Sequence, residues 1–142
     1  MVKNGTSRSA RRDGTVITIA AVVALAIFAR MFVVDAAVVQ GKSMLPHYRG
    51  GEVVVLVKAA YGLRGFAGRY AIRWGQPREG DVVAAVRPDN GERVIKRIGE
   101  IRGEKESPLY FLVGDNGLES IDSRDFGPLP LNDIIGKVFP QR

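Results

Sequence analysis

The sequence predicts an all-β domain attached to one membrane-spanning helix near the amino terminus. Residues 15–29 are apolar apart from two threonines, and the apolar run resumes after Arg30 and continues to Val34. Beyond it, the apolar segments are short, rich in valine and isoleucine, and separated by Gly, Pro, Asp and Asn, which is typical of strands and turns. The 142 residues suffice for one compact domain plus a short appended segment.

The apolar segment at residues 15–34 is long enough to cross a bilayer once. At ~1.5 Å per residue it spans roughly 30 Å, about one hydrocarbon core. Arg30 lies near its far end, where a long side chain can reach the headgroups. Four basic residues in the polar tail, residues 1–14, predict a cytoplasmic amino terminus and an extracytoplasmic domain at residues 36–142. The expected location is therefore the cytoplasmic (inner) membrane, crossed once.

The same segment also fits a cleavable signal peptide ending at Val34-Asp35-Ala36, or a buried core helix. Asp35 within the cleavage site and the apolar residues after Arg30 favour a retained anchor. A core helix is disfavoured because the run shows no polar face at helical spacing.

The formal net charge of +6 and the pI near 10 indicate an anionic partner. Nucleic acid and lipid headgroups both qualify, but a domain outside the cytoplasm has little access to DNA. We therefore expect the lipid bilayer as a partner and no nucleic acid. Cysteine is absent and His47 is the only histidine, which excludes thiolate metal sites and a zinc site built on several imidazoles. We expect no metal and no cofactor.

Six segments of the domain have the composition of strands. Residues 53–57 are apolar without alternation, which predicts a central strand with both faces covered. Residues 59–77, rich in glycine, aromatic residues and arginine, receive no assignment, and they either dip into the membrane interface or pack on the domain. The predicted strands are residues 37–41, 52–58, 81–87, 93–101, 109–113 and 134–139.

Lys96 is a candidate general base. Strand alternation places it on the same face as Val94 and Ile98, whereas Ile95 points to the other face with two arginines. A lysine between β-branched aliphatics either extends its amine to water or stays in a poorly solvated site, where the charged form is disfavoured. In the second case the neutral amine can accept a proton. On the residues alone we expect the first outcome, because most strand lysines reach water.

Ser43 is a candidate nucleophile. It lies soon after the membrane exit, in a loop that begins with Gly41 and ends with Pro46. Most such serines only cap turns, but a serine becomes nucleophilic when a base, including a neutral amine, is within hydrogen-bonding distance. Ser43 and Lys96 are 53 residues apart, so they form a candidate pair without geometry.

A loop dense in glycine and acidic residues occupies residues 114–127. Asp115 and Asp122 have the composition of paired catalytic carboxylates or of a calcium loop. Their spacing fits no calcium-loop template, and Arg124 is close enough in sequence to neutralise Asp122. A structural Asp–Arg pair that braces the loop is therefore favoured.

Together these segments resemble the motif boxes of type I signal peptidases (leader peptidases), in the same order and over nearly the whole chain after residue 15. The matching segments are Arg30-Met31-Phe32-Val33-Val34, Gly41-Lys42-Ser43-Met44-Leu45-Pro46, Gly51-Glu52-Val53 through Lys58-Ala59-Ala60-Tyr61-Gly62, Gly80-Asp81-Val82-Val83 leading to Val94-Ile95-Lys96-Arg97, and Gly114-Asp115-Asn116 with Ser120-Ile121-Asp122-Ser123-Arg124 and Phe126-Gly127.

The resemblance implies a signal-peptidase-like antiparallel β-barrel or coiled sheet, and a serine endopeptidase that cleaves the signal peptides of exported preproteins. Ser43 would be the nucleophile and Lys96 the base of an acyl-enzyme mechanism, with the Ser43 backbone N–H donating to the oxyanion. The other implied site residues are Gly41, Gly114, Ser120, Asp122 and Arg124 as supporting groups, and Val39, Met44 and Ile95 as an apolar pocket for small residues before the cut.

The chain departs from the family pattern at several positions. Gly41 stands where some relatives place a serine that supplies a second oxyanion donor. His47-Tyr48 replace a small polar residue and a leucine, and we expect no catalytic duty for His47. Few residues lie between Ile101 and Leu109, where longer members insert another β-rich subdomain.

Three alternatives accompany this interpretation. The first is a specialised maturation protease that processes a single exported client, a kind found among short relatives. The second is a non-enzymatic membrane-tethered β-domain that binds a partner. The third, a self-cleaving regulator like the SOS repressors, is disfavoured because it needs a cytoplasmic DNA-binding module, which the first 14 residues cannot form.

Overall fold

The structure, a computed structural model, describes residues 6–65 and 69–141, and side chains from residue 14 onward within these ranges. The described part contains a long helix α1 (Thr6–Phe32), a short helix α2 (Ser123–Phe126) and nine strands. It confirms the mostly-β prediction with one amino-terminal helix. The strands are β1 (Val34–Val38), β2 (Val53–Val57), β3 (Gly62–Arg64), β4 (Tyr70–Arg73), β5 (Val82–Val86), β6 (Arg93–Glu104), β7 (Ser107–Val113), β8 (Leu129–Pro130) and β9 (Ile134–Phe139).

The helix α1 fits a membrane-anchored protein. Its segment Gly14–Phe32 is long and apolar enough to cross a bilayer, and none of it is buried against the domain. A core helix would be packed, so that alternative is wrong. The helix ends at Phe32, two residues before the predicted limit, because Val34 already pairs with β2. It begins before residue 15, and residues 1–5 of the predicted tail lie outside the described part.

Seven strands form one antiparallel sheet in the order β1-β2-β9-β5-β6-β7-β8, and β3 pairs with β4 in a separate hairpin. Five of the six predicted strands overlap β2, β5, β6, β7 and β9. The first prediction, residues 37–41, is displaced: β1 begins at Val34, and its pairing with β2 ends at Val38. The sheet therefore starts almost directly where the helix ends.

The prediction that residues 53–57 are covered on both faces is wrong. Val54 and Leu56 are buried, but Val53 and Val55 are 66% and 50% exposed. Although β2 pairs with a strand on either side, only its inner face is packed. The strand that is buried on both faces is β5, in which four consecutive side chains, Val82 to Ala85, are less than 5% exposed.

Two hydrophobic clusters share β5 between them. One contains Val83 and Ala85 and extends over β6 and β7. The other contains Val82 and Ala84 and includes residues of the loop after β1. This second cluster fixes the loop that carries Ser43, since Val39, Met44 and Tyr48 all belong to it.

The unassigned residues 59–77 contain a short 3₁₀ turn followed by the β3–β4 hairpin. Tyr61 belongs to the first cluster and Tyr70 packs against it, whereas Ile72 and Trp74 are 59% and 60% exposed. The hairpin thus packs on the domain by one side. Phe66, part of the same prediction, lies outside the described residues.

The one-sided burial of β2 can be tested with two adjacent valines. Val54→Ala should lower the free energy of unfolding by about 2 kcal/mol, because it removes two buried methyl groups and leaves a cavity. Val53→Ala is the matched control and should cost less than about 0.5 kcal/mol. Urea unfolding in detergent measures both values. Equal losses at the two positions would show that the outer face is covered after all.

Candidate active site

The loop at residues 41–48 presents Ser43 beside the sheet. It leaves β1 through Val39, whose backbone exchanges hydrogen bonds with Glu52 and Gly51. Gly41 has a φ of 73°, a left-handed conformation that glycine adopts at little cost. After the serine, Met44 and Tyr48 anchor the loop in the interior, with exposures of 1% and 0%. Ser43 itself is half-buried on an anchored turn.

The Lys96 amine does not extend to water. The residue is only 3% exposed, and it pairs with the buried Val83 on the neighbouring strand β5. Burial lowers the pKa of Lys96, and the charges of Arg87 and Arg124 lower it further, while Asp122 and Asp115 act in the opposite direction. The expectation from the residues alone, an amine that reaches water, is therefore wrong, and the poorly solvated amine is the one observed.

Ser120 contacts the Lys96 amine. Lys96 Nζ donates a hydrogen bond to Ser120 Oγ at 2.9 Å. One hydrogen bond to a fixed hydroxyl restricts the rotation of a long, flexible side chain. Ser120 therefore holds the amine in one orientation without adding a charge beside it.

Asp122 and Arg124 brace the loop that carries Ser120. The Asp122 side chain is fully buried and accepts two bonds from the Arg124 guanidinium, both at 2.8 Å, and one from the Gly114 backbone N–H at 3.0 Å. Burial alone would raise the pKa of Asp122, but these hydrogen bonds outweigh it and hold the pKa well below its usual range. The favoured Asp–Arg brace is what the structure contains.

The interpretation of Asp122 as a glycosidic acid loses its basis here. A carboxyl group that stays ionised to low pH is unsuited to donate a proton as a glycosidic acid. Within residues 6–65 and 69–141, no group of three or more acidic or imidazole side chains is arranged to hold a metal ion.

Gly114 joins the acidic loop to the Ser43 loop. A Cβ atom at this position would overlap the Ser120 side chain and lie 2.7 Å from the Ser43 carbonyl oxygen. Two residues later, Asn116 donates from its backbone N–H to the same carbonyl at 2.9 Å. Its side-chain amide donates to Lys42 O at 3.2 Å. The absence of a side chain at Gly114 thus allows the Ser43 loop and Ser120 to approach each other.

Asp115 connects the Ser43 loop to β6, a contact that sequence reasoning missed. Its carboxylate accepts from Arg97 at 2.7 and 2.8 Å and lies 3.0 Å from His47 Nδ1. Arg97 follows Lys96, and His47 lies four residues after Ser43. The sequence offered the Gly-Asp-Asn motif as a signal for Asp115, but nothing in the spacing linked it to His47.

Ser43 and Lys96 line the same cleft, which has a volume of about 560 Å³. One wall is β1 with the residues that follow it, and the opposite wall is the beginning of β6. The three predicted pocket residues, Val39, Met44 and Ile95, also line the cleft.

The supporting residues lie behind the cleft. Ser120 contacts Lys96, whereas Gly114, Asp122 and Arg124 hold the Ser120 loop. Gly41 lies on the exposed side of the serine loop.

The amino-acid sequence is similar to those of known proteins. Residues 12–105 and 106–140 match the family described as signal peptidase, peptidase S26. A protein of Bacillus caldolyticus named signal peptidase I is 27% identical over 144 residues, covering 77% of this chain and 79% of that protein. The mitochondrial inner membrane protease subunit 1 of Schizosaccharomyces pombe is 35% identical over 115 residues, covering 70% of this chain and 67% of that protein.

The mostly-β fold, with a half-buried serine and a buried lysine in one cleft, agrees with the peptidases that the chain matches. This chain belongs to the signal peptidase family, peptidase S26. It is a hydrolase of the serine peptidase class, and the family supports the cleavage of signal peptides. The alternative of a non-enzymatic binding domain is therefore wrong.

Asp122→Asn should change how stability depends on pH. Because the folded-state pKa lies below the ordinary value of ~3.9, the ionised group contributes stability that is fully present above about pH 4 and is lost as pH falls toward the folded-state pKa. We expect the variant to lose about 2 kcal/mol at neutral pH and to decline less steeply below about pH 4.

Urea unfolding from pH 7 to about pH 2 checks this expectation. Glu106→Gln, on the exposed turn between β6 and β7, is the matched control and should leave stability nearly unchanged. A variant with the wild-type acid sensitivity would show that the Asp122 brace does not contribute.

Proposed function

We propose that this chain is a membrane-anchored endopeptidase that cleaves the signal peptides of exported preproteins, with Ser43 as nucleophile and Lys96 as general base. The observation that carries the proposal is the buried Lys96 amine, oriented by Ser120 and lining the same cleft as Ser43. Cleavage of signal peptides follows from the family, and the dyad is the part proposed here.

The mechanism begins with a neutral Lys96. Its amine removes the proton from Ser43 Oγ as the oxygen attacks the scissile carbonyl carbon. The carbonyl oxygen becomes negatively charged in the tetrahedral intermediate, and the Ser43 backbone N–H donates to it. When the C–N bond breaks, the lysine gives its proton to the leaving amine, and an ester to Ser43 remains.

Hydrolysis of that ester completes the cycle. Lys96 removes a proton from a water molecule, whose oxygen attacks the ester carbonyl, and Ser43 Oγ leaves with the proton that the lysine returns. Lysine has a single proton-accepting lone pair, so its position matters in both steps. Ser120 is a positioning residue in this scheme, and Asp122 and Arg124 fix Ser120 in turn.

The cleft is suited to an extended peptide. β1 pairs only with β2 in the described sheet, and residues 93–96 of β6 pair with β5 but not with β7, whose pairing begins at Arg97. Two strand edges thus offer unpaired backbone groups to a peptide between them. Val39, Met44 and Ile95 close the cleft with apolar surface and favour small side chains before the cut.

The anchor places this cleft at a membrane surface. We propose that residues 1–14 are cytoplasmic, that α1 crosses the cytoplasmic (inner) membrane and that the domain lies outside it. The basic residues of the tail favour that orientation. The substrate's own apolar segment would then lie in the same bilayer as α1.

Two substitutions test the dyad. Ser43→Ala and Lys96→Met should each reduce cleavage of a precursor with an Ala-x-Ala site by at least about 10³-fold, because each removes a group that acts in both steps. Lys96→Met retains most of the buried stem. The assay uses the full chain in detergent, with circular dichroism to show that the domain stays folded.

Exposed residues of the same kinds provide controls for these two variants. Ser107→Ala and Lys105→Ala lie at the far end of the β6–β7 hairpin and should retain activity. Wild-type activity in either dyad variant would defeat the assignment.

The pH dependence of kcat/KM tests the state of the amine. Because the amine must be neutral to act as base, activity should rise with pH until the pKa of Lys96 is passed. Burial lowers that pKa, so the ascending limb should lie well below the ~10.4 of an ordinary lysine. A limb at the ordinary value would indicate a solvated lysine that does not take part.

A further inference from the structure

Arg93 is a charged residue on the wall of the cleft. It begins β6, three residues before Lys96, and strand alternation places its side chain on the same face as Ile95. Both residues line the cleft, but Arg93 is exposed whereas Ile95 is half-buried. The end of the cleft remote from Ser43 therefore carries a guanidinium group next to the apolar pocket.

The acidic residues at this end are already engaged. The Glu92 carboxylate accepts from Arg87 Nη1 at 3.3 Å and from Asn90 Nδ2 at 2.8 Å. Asp35 forms ion pairs with Arg30 and, at 3.7 Å, with Lys58. Neither carboxylate is paired with Arg93.

Among residues 6–65 and 69–141, no hydrogen bond or ion pair to the Arg93 guanidinium occurs. A second basic group lies nearby: burial lowers the pKa of Lys58, and the positive charges of Arg30 and Arg93 lower it further. The two carboxylates that line the cleft, Asp35 and Glu92, are paired with other cations, which leaves the Arg93 guanidinium available to a ligand.

We propose that Arg93 forms a subsite for an acidic side chain of the substrate, four or five residues before the scissile bond. This subsite rests on the proposed function, since it requires a peptide held in the cleft with its carbonyl at Ser43. It lies outside the apolar pocket that accepts small residues, and it adds a charge preference to a size preference.

The position follows from the strand geometry. β1 and β6 both run toward the Ser43–Lys96 end, and a peptide that runs parallel to them with its scissile bond at Ser43 has its earlier residues beside Arg93. Three residues of strand separate Arg93 from Lys96, about 10 Å at ~3.3 Å per residue. The arginine side chain extends this reach by one or two residues away from the dyad.

A set of charge-matched peptides tests the subsite. Internally quenched peptides carry Ala at the first and third positions before the cut and Glu, Gln or Lys at the fourth or fifth. For the full chain in nonionic detergent, we expect kcat/KM to be about three- to fivefold higher with Glu than with Lys, with Gln between them. The preference should shrink in 0.5 M salt, because salt screens exposed charges.

Variants assign the preference to the residue. Arg93→Ala should abolish the difference between Glu and Lys, and Arg93→Glu should reverse it. Arg73→Glu is the matched control, because it makes the same charge change on β4, outside the residues that line the cleft. It should keep the wild-type preference.

The outcomes separate this inference from the proposed function. Failure to cleave every peptide would count against the protease assignment itself. Cleavage without a charge preference, or with one that Arg93→Glu leaves unchanged, would overturn the subsite alone. The subsite would also be overturned if Arg93→Glu altered only the binding to vesicles of anionic phospholipid, since Arg93 would then contact headgroups and not substrate.

Discussion

Burial of the Lys96 amine is the constraint on which the rest of the site depends. An ammonium group surrounded by water stays protonated at neutral pH and cannot accept a proton. At 3% exposure, the side chain loses the hydration that would stabilise its charge, and its pKa falls. In the sheet, Lys96 pairs with Val83 of the neighbouring strand β5, and Val83 is itself fully buried.

The carboxylates near this amine would undo the effect if they were unpaired. Asp122 and Asp115 both raise the pKa of Lys96. Each is held by an arginine, Asp122 by Arg124 and Asp115 by Arg97, so their charges are largely compensated within the loop that they brace. The two acidic residues can therefore organise the site, through hydrogen bonds to backbone and side chains, while raising the pKa of the Lys96 amine only a little.

The sequence predicted the parts of this protein that depend on local pattern. The apolar anchor, five strand positions and the alternating face of Lys96 all follow from periodicity. What failed depended on tertiary packing. A run of five apolar residues at β2 could not reveal that its outer face, with Val53 and Val55, is left uncovered. The β3–β4 hairpin was missed because its strands are only three and four residues long.

The candidate residues Ser43 and Lys96 could be named from the sequence, but their arrangement in space could not. Ser43 and Lys96 are brought to one cleft by contacts that span more than 60 residues, such as that between Asn116 and the Ser43 carbonyl. Such contacts leave little trace in a single sequence. The approach of His47 to Asp115 is the clearest example, because either residue alone looks like an ordinary loop position.

The short connection between helix and sheet limits where this enzyme can act. Only Val33 separates the end of α1 from β1, and β1 is itself a wall of the cleft. Nine residues lead from Val34 to Ser43, which fully extended would span at most about 30 Å. In a membrane-anchored chain, peptide bonds farther than this from the bilayer stay out of reach whatever their sequence. In such an arrangement, proximity to the lipid surface is a criterion of substrate choice in addition to the residues around the scissile bond.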